Sequence, residues 1–222
     1  DTLCELSTAS YQASSGATHS WSITNGSISN GTGNDTIIVN WPRKNTAHKL
    51  SVAITNQYGC VSNASKAVVI NAKPDSFING IDTLCELNGA GYKAAPGVSY
   101  IWSVTNGSIL SGSGTDSIRV RWPRKNTSHS LSVAVTNSFG CSSSTTKDVF
   151  LNTKPDSVIY GPDTICELSS ATYSSQNGTT YSWSVTNGNI ASGAGTDSVF
   201  VNWPRKNTSH NLAVSITNKN GC

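Results

Sequence analysis

The chain has 222 residues, 36% of them hydrophobic and only 12% charged, with no Met, six Cys and a formal net charge of +3. So small an excess, with no basic cluster longer than two adjacent residues, gives no argument for nucleic-acid binding. No apolar run reaches the roughly eighteen residues of a membrane helix, and the regular placement of Trp, Val and Ile without long charge runs excludes a disordered chain.

Every landmark recurs at a spacing of 81 residues: Cys4, Cys85 and Cys166; Trp21, Trp102 and Trp183; Trp41, Trp122 and Trp203; Cys60, Cys141 and Cys222. An exact period without insertions means an array of about three small domains, each with a modest core that gains from covalent staples. The longest near-identical block is Trp-Pro-Arg-Lys-Asn-Thr, starting at each of Trp41, Trp122 and Trp203.

The middle copy shows the elements most clearly. An early strand carries Tyr92. Tyr100, Trp102 and Val104 alternate with Ile101, Ser103 and Thr105, and Asn106-Gly107 follows, which predicts a hairpin because a tight two-residue turn needs positive φ. After a Gly-rich loop at 111–114, Ile118, Val120 and Trp122 face one way while Ser117, Arg119 and Arg121 face the other, the pattern of a half-buried strand that Pro123 ends. Leu131, Val133 and Val135 form the next strand, closed by 137–140 before Cys141. Val149 and Leu151 mark the last, and 157–160 reads as the opening strand of the following unit. About seven short strands with no helical periodicity predict an all-β fold, an antiparallel β-sandwich in each repeat.

Lys-Pro-Asp at 73–75 and 154–156 are the expected joints, which divides the chain into 1–74, 75–155 and 156–222. On that division the first unit lacks its first strand and the third its last. The chain then reads as a window of a longer array, a segment bounded by copy number, or one whose edge strands neighbouring molecules supply. With no signal peptide, the targeting signals are expected elsewhere.

Two cysteines per repeat, 56 residues apart, are expected to be disulfides of an oxidising compartment. Repeat symmetry leaves two arrangements. The preferred one closes Cys4 with Cys60, Cys85 with Cys141 and Cys166 with Cys222; the other joins Cys60 to Cys85 and Cys141 to Cys166. No CxxC pattern supports zinc.

A Cys followed by a Tyr strand, then Trp-Ser-Val-Thr-Asn-Gly, a Gly-rich loop, a strand ending in Trp, and Asn-x-x-Gly-Cys together resemble the PKD-like repeats, an Ig-like β-sandwich group. The sub-type is similar to Cys-bearing repeats of very large secreted and cell-surface proteins of gliding and environmental Bacteroidota. The resemblance implies a stalk, spacer or adhesive filament, extracellular and non-enzymatic. Its partners would be the neighbouring repeats, other copies through edge strands, and a surface polysaccharide, with no nucleic acid, no membrane insertion and no cofactor. The alternative is a carbohydrate-binding array attached to a secreted polysaccharide-degrading enzyme. The acidic Trp-Asp-Phe-Gly-Asp-Gly signature of better-known PKD domains is replaced here, so a calcium role does not carry over.

Few residues suggest chemistry. Trp21, Trp102 and Trp183 read as core aromatics, with a sugar-stacking platform as the second reading; Trp41, Trp122 and Trp203, each followed by Pro, are also read as packing residues, with a place nearer a rim as the second reading. Arg43-Lys44, Arg124-Lys125 and Arg205-Lys206 put a basic pair in the same loop of each unit, either solvated or forming a stripe for an acidic polysaccharide. His48, His129 and His210 read as hydrogen-bonded strand-start residues rather than metal ligands. No nucleophile elbow surrounds any Ser, and Gly112 to Gly114 does not lead from a strand into a helix as a phosphate cradle would. Asp followed by Ser or Thr and an aliphatic residue recurs, which resembles the O-glycosylation signal of exported Bacteroidota proteins and assigns Thr2, Thr36, Thr83, Ser117, Ser157, Thr164 and Ser198 as acceptors; the other reading is ordinary strand-start chemistry.

Overall fold

A computed structural model describes residues 2–43, 47–124, 128–205 and 209–222. The described residues form strands and turns without a helix. The first repeat holds β1 (Thr2–Cys4), β2 (Thr8–Gln12), β3 (Thr18–Thr24), β4 (Ser27–Asn30), β5 (Thr36–Asn40), β6 (His48–Thr55) and β7 (Val61–Asn71). The middle repeat follows with β8 (Ile78–Asn79), β9 (Thr83–Cys85), β10 (Gly89–Ala94), β11 (Ser99–Thr105), β12 (Ser108–Ser111), β13 (Ser117–Arg121), β14 (His129–Thr136) and β15 (Ser142–Asn152). In the third repeat are β16 (Ser170–Ser174), β17 (Thr180–Thr186), β18 (Asn189–Ser192), β19 (Ser198–Asn202) and β20 (Asn211–Thr217).

The middle repeat is a sandwich of two four-stranded sheets, ordered β12-β13-β10-β8 and β11-β14-β15-β9. All pairs are antiparallel except β9, which runs parallel to the end of β15, with Leu84 opposite Leu151 and Cys85 opposite Asn152. Period-two alternation decides which side chains meet between the layers. Ile118, Val120 and Trp122 from one sheet pack in a single core with Leu131, Val133 and Val135 from the other, all at most 3% exposed. The first repeat repeats this plan with β2-β5-β4 against β1-β7-β6-β3.

Two expectations change. Asn106-Gly107 does not close a hairpin, because β11 pairs with β14 whereas β12 pairs with β13, so the dipeptide turns a corner from one sheet to the other. Asn106 takes a positive φ of 55°, but Gly107 is required for a different reason: a Cβ there would lie 2.7 Å from the Trp122 ring. The segment 157–160 contributes only an isolated bridge between Tyr160 and Ser174 instead of a full opening strand.

The third repeat has the same core, but its second sheet contains only β17 and β20. Among the described residues nothing pairs with the outer edge of β20. Leu212 and Val214 are therefore half-buried, where Leu131 and Val133 are each 1% exposed.

Candidate functional site

Both expected cysteine pairings are replaced by a third. Cys4 is bonded to Cys141 and Cys85 to Cys222, with Cα atoms 5.5 Å apart in each pair, while Cys60 and Cys166 are exposed thiols. Strand direction explains this. Cys4 ends β1, which lies parallel to β7 with Cys4 opposite Asn71, the residue where the chain leaves the repeat. Cys60 stands in the turn before β7, at the other end of an eleven-residue strand, about 35 Å away at strand rise. A disulfide needs Cα atoms within about 7 Å, so the two cysteines of one repeat cannot meet. Pairing Cys60 with Cys85 fails likewise, because Cys85 sits at the exit end of the middle repeat, opposite Asn152. What reaches the exit end of the first repeat is the turn between β14 and β15, which carries Cys141.

That turn is built by Asn137, whose side-chain oxygen accepts the N–H groups of Phe139 and Cys141 and whose Nδ2 donates to Ala72 O at 2.8 Å. Ser143 Oγ donates to Pro74 O at 2.6 Å and Ser76 Oγ to Ser144 O at 3.4 Å. At the second joint Asn218 Nδ2 donates to Thr153 O at 2.6 Å, and its oxygen accepts the Cys222 N–H. Each joint is thus a Cys-bearing Asn turn laid on the strand end of the repeat before it.

The residue after each exit-end cysteine fixes the departing chain. Glu5 and Glu86, 8% and 1% exposed, accept the backbone N–H of Lys73 and Lys154 respectively, each at 3.1 Å. Leu6 and Leu87 follow at positive φ, with their N–H groups donating to Pro42 O and Pro123 O. The proline carbonyl of the repeated Trp-Pro block therefore holds the Cys-Glu-Leu turn. Sequence reasoning missed this role of Glu; the signal was the recurrence of Cys-Glu-Leu at 4–6, 85–87 and 166–168.

The Trp41, Trp122 and Trp203 set is packed inside as the first reading expects, at 2%, 0% and 8% exposed, and not near a rim. Trp122 Nε1 donates to Tyr92 Oη at 3.1 Å and its ring meets Tyr92 and His129 edge to face. Burial is the main cause that raises the Tyr92 phenol above its ordinary value; the indole hydrogen bond opposes it and the Asp82 charge adds to it. Trp102 and Trp183 are also buried, with Nε1 bonded to backbone oxygens of Thr115 and Thr196. Neither set offers a sugar an open ring face in the middle repeat. His48, His129 and His210 each bond through Nδ1 to the carbonyl of Asn25, Asn106 or Asn187.

Of the basic pairs, Arg43, Arg124 and Arg205 are exposed. Arg124 lies 3.8 Å from the buried Glu86 carboxylate. Lys44, Lys125 and Lys206 lie outside the described residues, as does the side chain of Thr2. Among the proposed sugar acceptors, Thr83, Ser117, Ser157 and Thr164 are exposed, and Thr36 and Ser198 are half-buried. Thr83 and Ser117 each donate to the preceding Asp, at 3.2 and 3.0 Å, and each begins a strand, as the strand-start reading expects. Among the described residues no group of three or more His, Cys, Asp or Glu is placed to hold a metal, and no helix is long and apolar enough to cross a membrane.

No curated protein matches the chain. Among solved structures it is similar to a marsupial T cell receptor (7% identity, TM-score 0.40, 97% of this chain and 98% of that one). It is also similar to protocadherin gamma B2 cadherin domains 3–6 (13% identity, TM-score 0.29, 91% and 62%). A third is the SGBP-B protein of the Bacteroides ovatus mixed-linkage glucan utilization locus, in complex with a mixed-linkage heptasaccharide (12% identity, TM-score 0.26, 99% and 60%). The chain thus spans less than two thirds of the length of the last two. Two disulfides in such a chain mark an extracellular domain. The model of the PKD-like domain matches residues 71–149 and again 152–222, more than half of the sequence, and with the same sandwich built in each copy the chain belongs to the PKD-like family.

Proposed function

We propose that this chain is a load-bearing, non-enzymatic segment of a stalk or filament in a large cell-surface or secreted adhesin, of the kind used in surface attachment and gliding. The observation that carries the reading is that both disulfides cross the joints between repeats. A pull entering at Cys4 passes through the bridge to Cys141 and bypasses everything between them. Between Cys4 and Cys222 the shortest covalent route runs through both bridges and the 56 residues from Cys85 to Cys141, about 190 Å at full extension, against about 750 Å for the unbridged chain. Repeats can therefore lose their fold under load without the segment paying out its chain. Buried tryptophans leave the carbohydrate-binding reading without an aromatic platform in the middle repeat.

Single-molecule stretching with handles at the two chain ends tests this. The oxidised protein is expected to stop lengthening near 190 Å, and the same molecule in reductant to reach roughly fourfold that extension. Equal extension in both conditions overturns the mechanical reading.

A further inference from the structure

We propose that the outer face of the β12-β13-β10-β8 sheet in the middle repeat binds an acidic polysaccharide, a sugar chain bearing sulfate or carboxylate groups, through Arg119 and Arg121 standing beside a floor of glycine. Period-two alternation turns Ser117, Arg119 and Arg121 of β13 outward, and cross-strand pairing sets Lys93, Gly91 and Gly89 of β10 opposite them in turn. Both arginines are exposed, and among the described residues neither has a carboxylate within ion-pairing distance. They stand about 7 Å apart at strand rise. Lys93 lies toward one end of the face, bridged to Asp116 at 3.5 Å. Toward the other end are Arg124, 3.8 Å from the buried Glu86, and the Lys154 ammonium, which donates at 3.2 Å to Oδ1 of Asn88, the residue before Gly89. The carboxylates that meet these cations, Asp116 and Glu86, are thus already engaged, and the two arginines between them are left to an outside partner.

The other two repeats build the same sheet without this arrangement. In the first, Ile38 and Asn40 take the places of Arg119 and Arg121, with Ser10 and Thr8 opposite; in the third, Phe200 and Asn202 do so, with Thr172 and Ser170 opposite. The fold therefore calls for neither arginine nor glycine at these positions. Gly91 has no conformational reason either: its φ is not in the left-handed region, and a Cβ there would meet only Ile118 O, at 4.0 Å. A glycine inside a strand gives up packing and entropy, and where no bulge or turn requires it, the bare backbone leaves room for a ligand to approach closely. The outward positions of β10 and β13 carry no apolar or aromatic side chain on which a nucleobase or a hydrophobic peptide could rest. They offer instead two guanidinium forks, which hold sulfate or carboxylate bidentately. On the other flank of β13, Ser108 opposite Arg121 and Ser111 opposite Arg119 supply hydroxyls for the neutral groups of a sugar. This lateral contact is independent of the disulfide ladder, which carries load along the chain.

The test adds dextran sulfate, polygalacturonate and uncharged dextran to the whole oxidised chain at about 0.15 M salt and follows binding by calorimetry. Saturable binding of at least one acidic polymer is expected, and none of uncharged dextran. Arg119→Ile combined with Arg121→Asn, the residues of the first repeat, is expected to weaken binding by about tenfold or more. Gly91→Thr, the residue of the third repeat, keeps every charge and is expected to weaken binding by filling the floor. Lys49→Ser combined with Lys219→Gln removes two charges at exposed positions where other repeats carry Ser130 and Gln57, and is expected to bind as the unaltered chain does. Binding of neither acidic polymer, equal loss in the two double variants, or full binding by the Gly91→Thr chain overturns the proposal. So does tighter binding of polyglutamate or duplex DNA than of either acidic polymer, which would make the partner a different kind of chain.

Discussion

Glu86 shows how much of each joint depends on a single residue. A carboxylate at 1% exposure is retained because it accepts the Lys154 N–H, with the Arg124 guanidinium 3.8 Å away. The Arg124 side chain is 68% exposed, so the ion pair contributes little beside the hydrogen bond. Glu86→Ala should leave the Lys154 N–H unsatisfied and cost about 1–3 kcal/mol. A lower urea midpoint with unchanged slope is the expected result, and an unchanged midpoint would refute this role. At this scale the sequence was legible for side chains on alternating strands, where Ile118, Val120 and Leu131 are buried as the pattern requires. The packing reading holds for Trp122 as well: the following Pro ends the strand, but the indole still points inward with its strand-mates and is covered by Tyr92, His129 and the Gly107 corner.

Between elements, the informative case is the Asn-Gly dipeptide. Local chemistry favours a turn there, and a turn forms, but sheet membership is set by longer-range pairing. Leu131 and its neighbours draw β11 into one sheet while Val120 draws β12 into the other. Gly107→Ala places a methyl 2.7 Å from the Trp122 ring in a tight core, an overpacking expected to cost about 1–3 kcal/mol. Gly195→Ala, with nothing within 4 Å, should change stability little. Thermal unfolding of the pair checks this, and equal midpoints would contradict the packing role assigned to Gly107. Leu6, Leu87 and Leu168, held at φ between 55° and 62°, were not legible at all, because no propensity favours Leu in the left-handed region.

Across the whole molecule the 81-residue period gave the repeat count, and alternation gave the sandwich. Cysteine connectivity was hidden because spacing along the chain does not say at which end of a sandwich a residue emerges. Cys60 and Cys4 are close enough in sequence to suggest a bridge, yet β7 separates them by its whole length, while Cys141 returns to Cys4 from 137 residues away. The consequence is a ladder in which each bond staples two consecutive repeats. Cys60 and Cys166 occupy the positions that are bonded in the other copies. Limited proteolysis and mass spectrometry of the non-reduced, alkylated protein test this most directly. The account predicts linked peptides joining Cys4 to Cys141 and Cys85 to Cys222, with alkylation at Cys60 and Cys166 only; peptides joining Cys4 to Cys60 or Cys85 to Cys141 would contradict it.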